Sequence, residues 1–131
     1  MQNVESGVRK TPRDIQERAF EFACSVVRLH RDLVQGDTTA RTLAGQLLRS
    51  GTAIGANLEE AHAGQSKPDF ISKGSIALKE ARETLYWLRL FRATGLTNNE
   101  AIDPLQKEAH ELVSILTTIL RNARSNNQRG A

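Results

Sequence analysis

The chain reads as an all-α protein, an antiparallel up-down-up-down four-helix bundle. Three observations predict it. Four long segments carry apolar residues at a 3.6-residue period, and no stretch alternates at period two with β-branched residues. Pro12, Gly36, Gly64 to Pro68, Gly95, Pro104 and Gly130 punctuate the chain and leave connections of only a few residues, which seats successive helices antiparallel.

The first helix is expected from about 13 to 34, because Ile15, Ala19, Phe22, Val26, Leu29 and Leu33 recur on one face. The second spans about 38 to 63, with Asp37 or Thr38 placed to cap its free amides and a stripe of Leu43, Leu47, Gly51, Ile54, Leu58 and Ala61. Ser66, Pro68 and Asp69 mark the start of the third: a capping hydroxyl, a proline in the first turn, and an acid three residues on. Its stripe is Phe70, Gly74, Ala77, Ala81, Leu85 and Leu88, and Gly95 ends it. Thr97 and Glu100 have capping-box spacing for the fourth helix. Its seam, Ile102, Leu105, Ala109, Leu112, Leu116, Ile119 and Ala123, steps by threes and fours.

At 131 residues and 14.5 kDa the chain is one domain. Its parts are expected to be a flexible N-terminal segment at 1–12, the bundle at 13–124 and a flexible basic tail at 125–131. With 39% hydrophobic and 25% charged residues it has material for a core and does not match a disordered composition. No apolar run is long enough for a membrane span and no secretory h-region is present, so the expected compartment is the cytoplasm. The lone Cys24 can complete neither an intramolecular disulfide nor a cysteine-based zinc site, and burial as a small hydrophobe is expected for it. The net charge of +3 resides in Arg121, Arg124 and Arg129, beyond an otherwise balanced body. That is too little to argue for an anionic partner without a favourable distribution.

Two helices are apolar on a second side. Phe20, Val27 and Val34 form a row on the first helix, and Ile76, Trp87 and Leu90 a row on the third. A bundle this small cannot bury both sides of two helices, so these rows are expected to form a subunit interface of a homo-oligomer; scattered surface hydrophobics are the alternative. On the second helix Gly45, Thr52, Ala56 and Ala63, with Ala53 and Gly55 beside them, are expected to allow close helix packing. A phosphate cradle would need a preceding strand and a Gly-Lys-Ser/Thr ending that are missing.

No constellation argues for catalysis or a metal. Glu59 and His62 make a single Glu-x-x-His, whereas a di-iron bundle needs a second pair and two more inward glutamates. Cys24 has no matching His and Asn arrangement, and no Gly-x-Ser-x-Gly occurs. No cofactor motif is present. Arg49, Asn57 and Glu60 lie on one side of the second helix, where they suit a structural polar network or, alternatively, a ligand-contacting patch. The best binding candidate is the third helix, where Lys79, Arg82, Tyr86 and Arg89 follow i, i+3, i+7 and i+10, with Arg92 beyond them. Three cations and an aromatic at that spacing suit phosphates and a stacked base, and Arg121 and Arg124 can add to them. The competing reading is a solvated face, with Glu80 nearby and Glu83 four residues from Lys79.

Residues 46–61, QLLRSGTAIGANLEEA, and 66–91, SKPDFISKGSIALKEARETLYWLRLF, resemble the bacterial four helix bundle proteins first named for reading frames in intervening sequences of large-subunit ribosomal RNA genes. The shared pattern holds Gln46, Leu47 and Arg49, then Ile54, Asn57 and Glu60, then Phe70 and the run through Glu83 and Thr84. The resemblance implies a four-helix subunit, often a ring-like homopentamer, without known enzymatic activity. One branch, the accessory proteins of diversity-generating retroelements, works beside a reverse transcriptase and binds nucleic acid through a basic surface. For this chain it implies a non-enzymatic homo-oligomer, either associated with RNA or DNA or serving as a protein interaction scaffold.

Overall fold

The structure is a computed structural model that describes residues 12–64 and 66–130. It holds four α-helices: α1 (Pro12–Leu33), α2 (Thr38–Ala63), α3 (Lys67–Thr94) and α4 (Asn99–Gly130). Each helix touches its two neighbours in the order α1, α2, α3, α4 and back to α1, with no diagonal contact among the described residues, which is a square bundle. The partners run antiparallel, since Gly51 and Gly55 of α2 meet Val26 and Ala19 of α1, and Ser75 and Arg92 of α3 meet Arg124 and Asp103 of α4.

Local chemistry sets most of the helix ends. The Asp37 carboxylate accepts from the Ala40 amide at 2.9 Å, and the Ser66 hydroxyl from Asp69 at 3.2 Å. Gly95 ends α3 at φ 68, a left-handed conformation a side chain would strain. The cap of α4 differs from the expected capping box: the Asn98 side chain, not Thr97, accepts from the Ala101 amide at 2.8 Å. The Asn98 carboxamide presents a carbonyl acceptor suited to this role, so the helix starts one residue later. Pro104 sits inside α4 rather than interrupting it. The segment expected to be flexible at 1–12 lies outside the described residues except for Pro12, the first residue of α1. The expected tail is helical through Gly130.

The core follows the predicted stripes. Ile15, Ala19, Phe22, Val26, Leu29 and Leu33 of α1 are all buried, as are Leu47, Ile54 and Leu58 of α2 and Ala77, Ala81 and Leu88 of α3. From α4 come Ile102, Leu105, Ala109, Leu112, Leu116 and Ala123, whereas Leu43, Phe70, Leu85 and Ile119, also expected in the stripes, are only half-buried at the edge of the core. Each fully buried Leu or Ile contributes about 1.5 to 3 kcal/mol. Leu120 and Phe91, outside the expected stripes, are also buried. Leu120 fills the space above Gly74, where a Cβ would lie 2.8 Å from its Cδ2.

The small residues of α2 divide differently from expectation. Gly51 and Gly55 bring α1 close: a Cβ at Gly51 would lie 2.9 Å from Val26 Cγ2, and one at Gly55 would make ordinary contact with Ala19. Gly45 faces open space, Ala56 and Ala63 are exposed, and Thr52 is half-buried. The expected row lies roughly opposite the buried stripe of α2, so it points outward. Cys24 is likewise only half-buried.

Replacing Gly51 by Ala forces a methyl into the stiff, branched Val26 side chain, and the overpacking outweighs the gain in helix propensity. Thermal unfolding should show Gly51→Ala losing about 1 kcal/mol and Gly45→Ala, in open space, gaining about 0.5 to 1 kcal/mol. A stabilised Gly51→Ala would contradict the close approach of α1 and α2.

Candidate functional site

The rotation of α3 about its axis is fixed on the α2 side by polar contacts. Thr84 and Ser50, both fully buried, bring their hydroxyls to 2.9 Å, and the Thr84 hydroxyl donates to the Glu80 carbonyl at 2.8 Å. One turn away at the surface, Arg49 reaches across from α2 to Glu80 at 3.3 Å and to Glu83. The Glu83 carboxylate also accepts from the Trp87 indole N–H at 3.0 Å, and the Tyr86 ring meets Trp87 in a T-shaped contact at 5.1 Å. Both acids in the central part of α3 are therefore committed to the α2 flank.

That leaves the central part of the opposite flank of α3, facing α4, without carboxylates. Ser75, Leu78 and Arg82 of α3 and Thr117, Arg121, Arg124 and Ser125 of α4 line a recess of about 490 Å³. Arg124 donates to the Ser75 hydroxyl at 2.7 Å, a neutral partner that orients the guanidinium and leaves its charge uncompensated. A second recess of about 280 Å³ follows along the same groove, lined by Arg82, Leu85, Tyr86 and Arg89 of α3 and Gln106 and His110 of α4. Arg82 belongs to both. The α3 residues are one helical flank at steps of three and four, and the α4 residues answer them from the facing flank.

Of the basic row expected on sequence, the structure gathers Arg82, Tyr86, Arg89, Arg121 and Arg124 on this groove. Lys79 is exposed but lines neither recess, and Arg92 is paired with Asp103 at 3.0 Å near the start of α4. The Arg129 side chain lies outside the described residues. The α4 contributors Gln106, His110, Thr117 and Ser125 are legible in the sequence only as positions flanking the α4 seam. Nothing in their spacing announces a site until α3 is set beside them.

The other expected groups are placed as follows. Arg49, Asn57 and Glu60 do not join one another. The Arg49 side chain crosses to α3, the Asn57 side chain donates to its own helix at Ala53 (2.8 Å), and Glu60 is exposed. Phe20 is 55% exposed, and Val27 and Ile76 are exposed, while Val34 and Trp87 pack half-buried on the edge of the core and Leu90 is half-buried. His62 holds its ring edge-on to Phe70 and bonds Nδ1 to the Leu58 carbonyl at 2.8 Å. Among the described residues no group of three His, Cys, Asp or Glu side chains is arranged to hold a metal, and no helix is long and apolar enough to cross a membrane. The α1 and α4 helices are joined by Arg18, which makes two bonds to Glu108, at 2.8 and 3.0 Å, and one to Glu111 at 2.7 Å. The Glu108 contact, chiefly, pushes the Arg18 guanidinium above its ordinary value.

The family model of 23S rRNA-intervening sequence proteins matches residues 13–118. Among solved structures the chain is similar to a protein of unknown function from the S23 ribosomal protein family of Bacteroides thetaiotaomicron. That crystal structure is 37% identical with a TM-score of 0.77, and the match covers 86% of this chain and 99% of that one. No curated protein matches the chain.

The buried hydroxyl pair and the exposed ion pairs predict unequal mutational costs. Ser50→Ala removes the inter-helix hydroxyl contact, while Thr84 keeps its bond to the Glu80 carbonyl, and should cost roughly 1 kcal/mol in denaturant unfolding. Arg49→Ala, at a half-exposed guanidinium, should cost less than about 1 kcal/mol. The reverse order would show that the surface pair, and not the buried one, holds α3 in place.

Proposed function

The chain belongs to the 23S rRNA-intervening sequence protein family, and from that premise we propose that it is a non-enzymatic, cytoplasmic homo-oligomer that binds nucleic acid along the α3 and α4 groove. The observation that carries this reading is the groove itself. Four arginines, Arg82, Arg89, Arg121 and Arg124, line it, no carboxylate among the described residues does, and the nearby Glu80 and Glu83 are turned to Arg49. Guanidinium groups facing an acid-free groove suit phosphates through paired N–H bonds, and binding of that kind is salt-dependent. Self-association is supported by the exposed Phe20, Val27 and Ile76, apolar surface that a monomer leaves in water. A pentamer is the form the family resemblance suggests. In such an assembly one modest groove per subunit becomes a multivalent surface.

A second reading, a protein interaction scaffold without nucleic acid, is favoured by the same apolar row if a different protein covers it. Light scattering separates the assemblies first: the wild-type mass should be a multiple of 14.5 kDa, and Phe20→Glu with Val27→Glu should reduce it. Titration against labelled RNA and DNA of mixed structure should then show about micromolar affinity at low salt that falls steeply as salt rises. Arg82→Glu with Arg89→Glu should abolish that binding at unchanged mass. Absence of any binding at low salt would retire the nucleic-acid reading in favour of the scaffold.

A further inference from the structure

We propose that the α3 and α4 groove takes a single strand, seating a phosphate in the recess at Arg82, Arg121 and Arg124 and an unstacked base in the adjoining recess at Tyr86. The proposal rests on the nucleic-acid reading above and adds the form of strand that is bound. The two recesses differ in character in the way the two halves of a nucleotide differ. The first converges three guanidinium groups, one of them oriented by Ser75, and its other polar groups are hydroxyls. Planar forks of this kind match phosphate oxygens. In the second, Leu85 gives an apolar wall, Tyr86 an aromatic one, Gln106 and His110 bring side chains that can donate and accept hydrogen bonds at a base edge, and Arg82 and Arg89 complete the lining with cations suited to the phosphates flanking that base.

Tyr86 is placed for stacking. It is 54% exposed, so a face of the ring is open to a ligand, and the ring is steadied by the T-shaped contact with Trp87. Trp87 is in turn held by Glu83, and Glu83 by Arg49, so the ring meets a ligand with little freedom left to lose. Arg82 lies one helical turn from Tyr86, about 6 Å along the axis, which is the scale of the distance from a phosphate to the base it carries. Arg82, shared by both recesses, is the hinge between the two contacts.

A duplex fits this surface poorly. The groove is a pair of small recesses between two adjacent packed helices. In a duplex each base is also covered on both faces by its neighbours and offers no plane to Tyr86, whereas a single strand exposes one at every nucleotide. The α4 cations Arg121 and Arg124 lie beyond residues 13–118 matched by the family, so two of the three arginines of the phosphate recess belong to the part of this chain outside that match.

The test is fluorescence anisotropy on the full chain with three probes of one length, about 16 nucleotides: a single strand, the corresponding duplex, and a strand with abasic sites in place of its bases. The single strand should bind at least tenfold more tightly than either of the others. Tyr86→Ala should weaken it about tenfold, the effect of losing one stacked base, with the salt slope unchanged, and Tyr86→Phe should restore the affinity. Arg121→Ser should lower the slope of log affinity against log salt by about 0.7 for each phosphate that the variant no longer neutralises. Both positions are exposed, and helical circular dichroism with an unchanged mass would confirm that the variants fold. Binding of duplex or abasic strand as tight as the single strand, or an unaffected Tyr86→Ala, overturns the single-strand site while the nucleic-acid reading stands. No binding to any probe at low salt overturns both.

Discussion

The rotation of α3 about its own axis governs what this bundle shows to solvent, and the buried contact between Thr84 and Ser50 sets it. With those hydroxyls 2.9 Å apart at the α2 and α3 seam, Glu80 and Glu83 must point toward α2, and Arg82, Tyr86 and Arg89 must point toward α4. A helix whose charges are mixed along the sequence thus becomes segregated by flank. If α3 were turned by one residue position, about 100°, an acid would enter the groove and the basic surface would be neutralised from within.

The magnitudes divide the work between stability and orientation. The hydroxyl pair contributes a net of about 0.5 to 1.5 kcal/mol, and the half-exposed Arg49 pairs less than about 1 kcal/mol. Packing is larger: every helix supplies several fully buried side chains, each contributing about 1.5 to 3 kcal/mol. Apolar stripes therefore decide that the bundle forms, but a stripe of Ala77, Ala81 and Leu88 tolerates some rotation. The polar pair resists it, because turning α3 would break the hydroxyl contact between the two helices and leave each hydroxyl only a carbonyl of its own helix. Gly51 and Gly74 sharpen the same geometry by admitting Val26 and Leu120 where a Cβ would collide.

What can be read from the sequence, and what cannot, follows from the range of each interaction. The caps at Asp37 and Ser66, the stop at Gly95 and the stripe from Ile15 to Leu33 are local or periodic, and the chain states them directly. The α4 start is ambiguous by one residue because Thr97 and Asn98 are adjacent and both cap well; only the bond from the Ala101 amide to Asn98 decides between them. The partners of Arg49 stay hidden because Glu80 and Glu83 lie on another helix, far along the chain. The basic row on α3 is visible as a row. Its meaning is not, since whether Glu83 cancels Lys79 or turns away to Arg49 depends on how α3 sits against α2.

The bundle keeps its two unusual surfaces apart. In a square arrangement the α1 and α2 side is opposite the α3 and α4 side. Phe20 lies by Gln16, Glu17 and Glu59 on the first of these, whereas the arginine groove lies on the second. Ile76 and Trp87 share the flank of α3 that carries Glu83, which is tied to α2, away from the groove. A copy of the chain seated on Phe20 and Val27 would therefore leave Arg82, Arg121 and Arg124 open to solvent. The separation matters because the charges cannot be buried cheaply: guanidinium groups without carboxylate partners would oppose any interface that desolvated them. The same arginines that suit an anionic ligand would thus oppose an interface on their own side of the bundle and leave the apolar side as the one open to it.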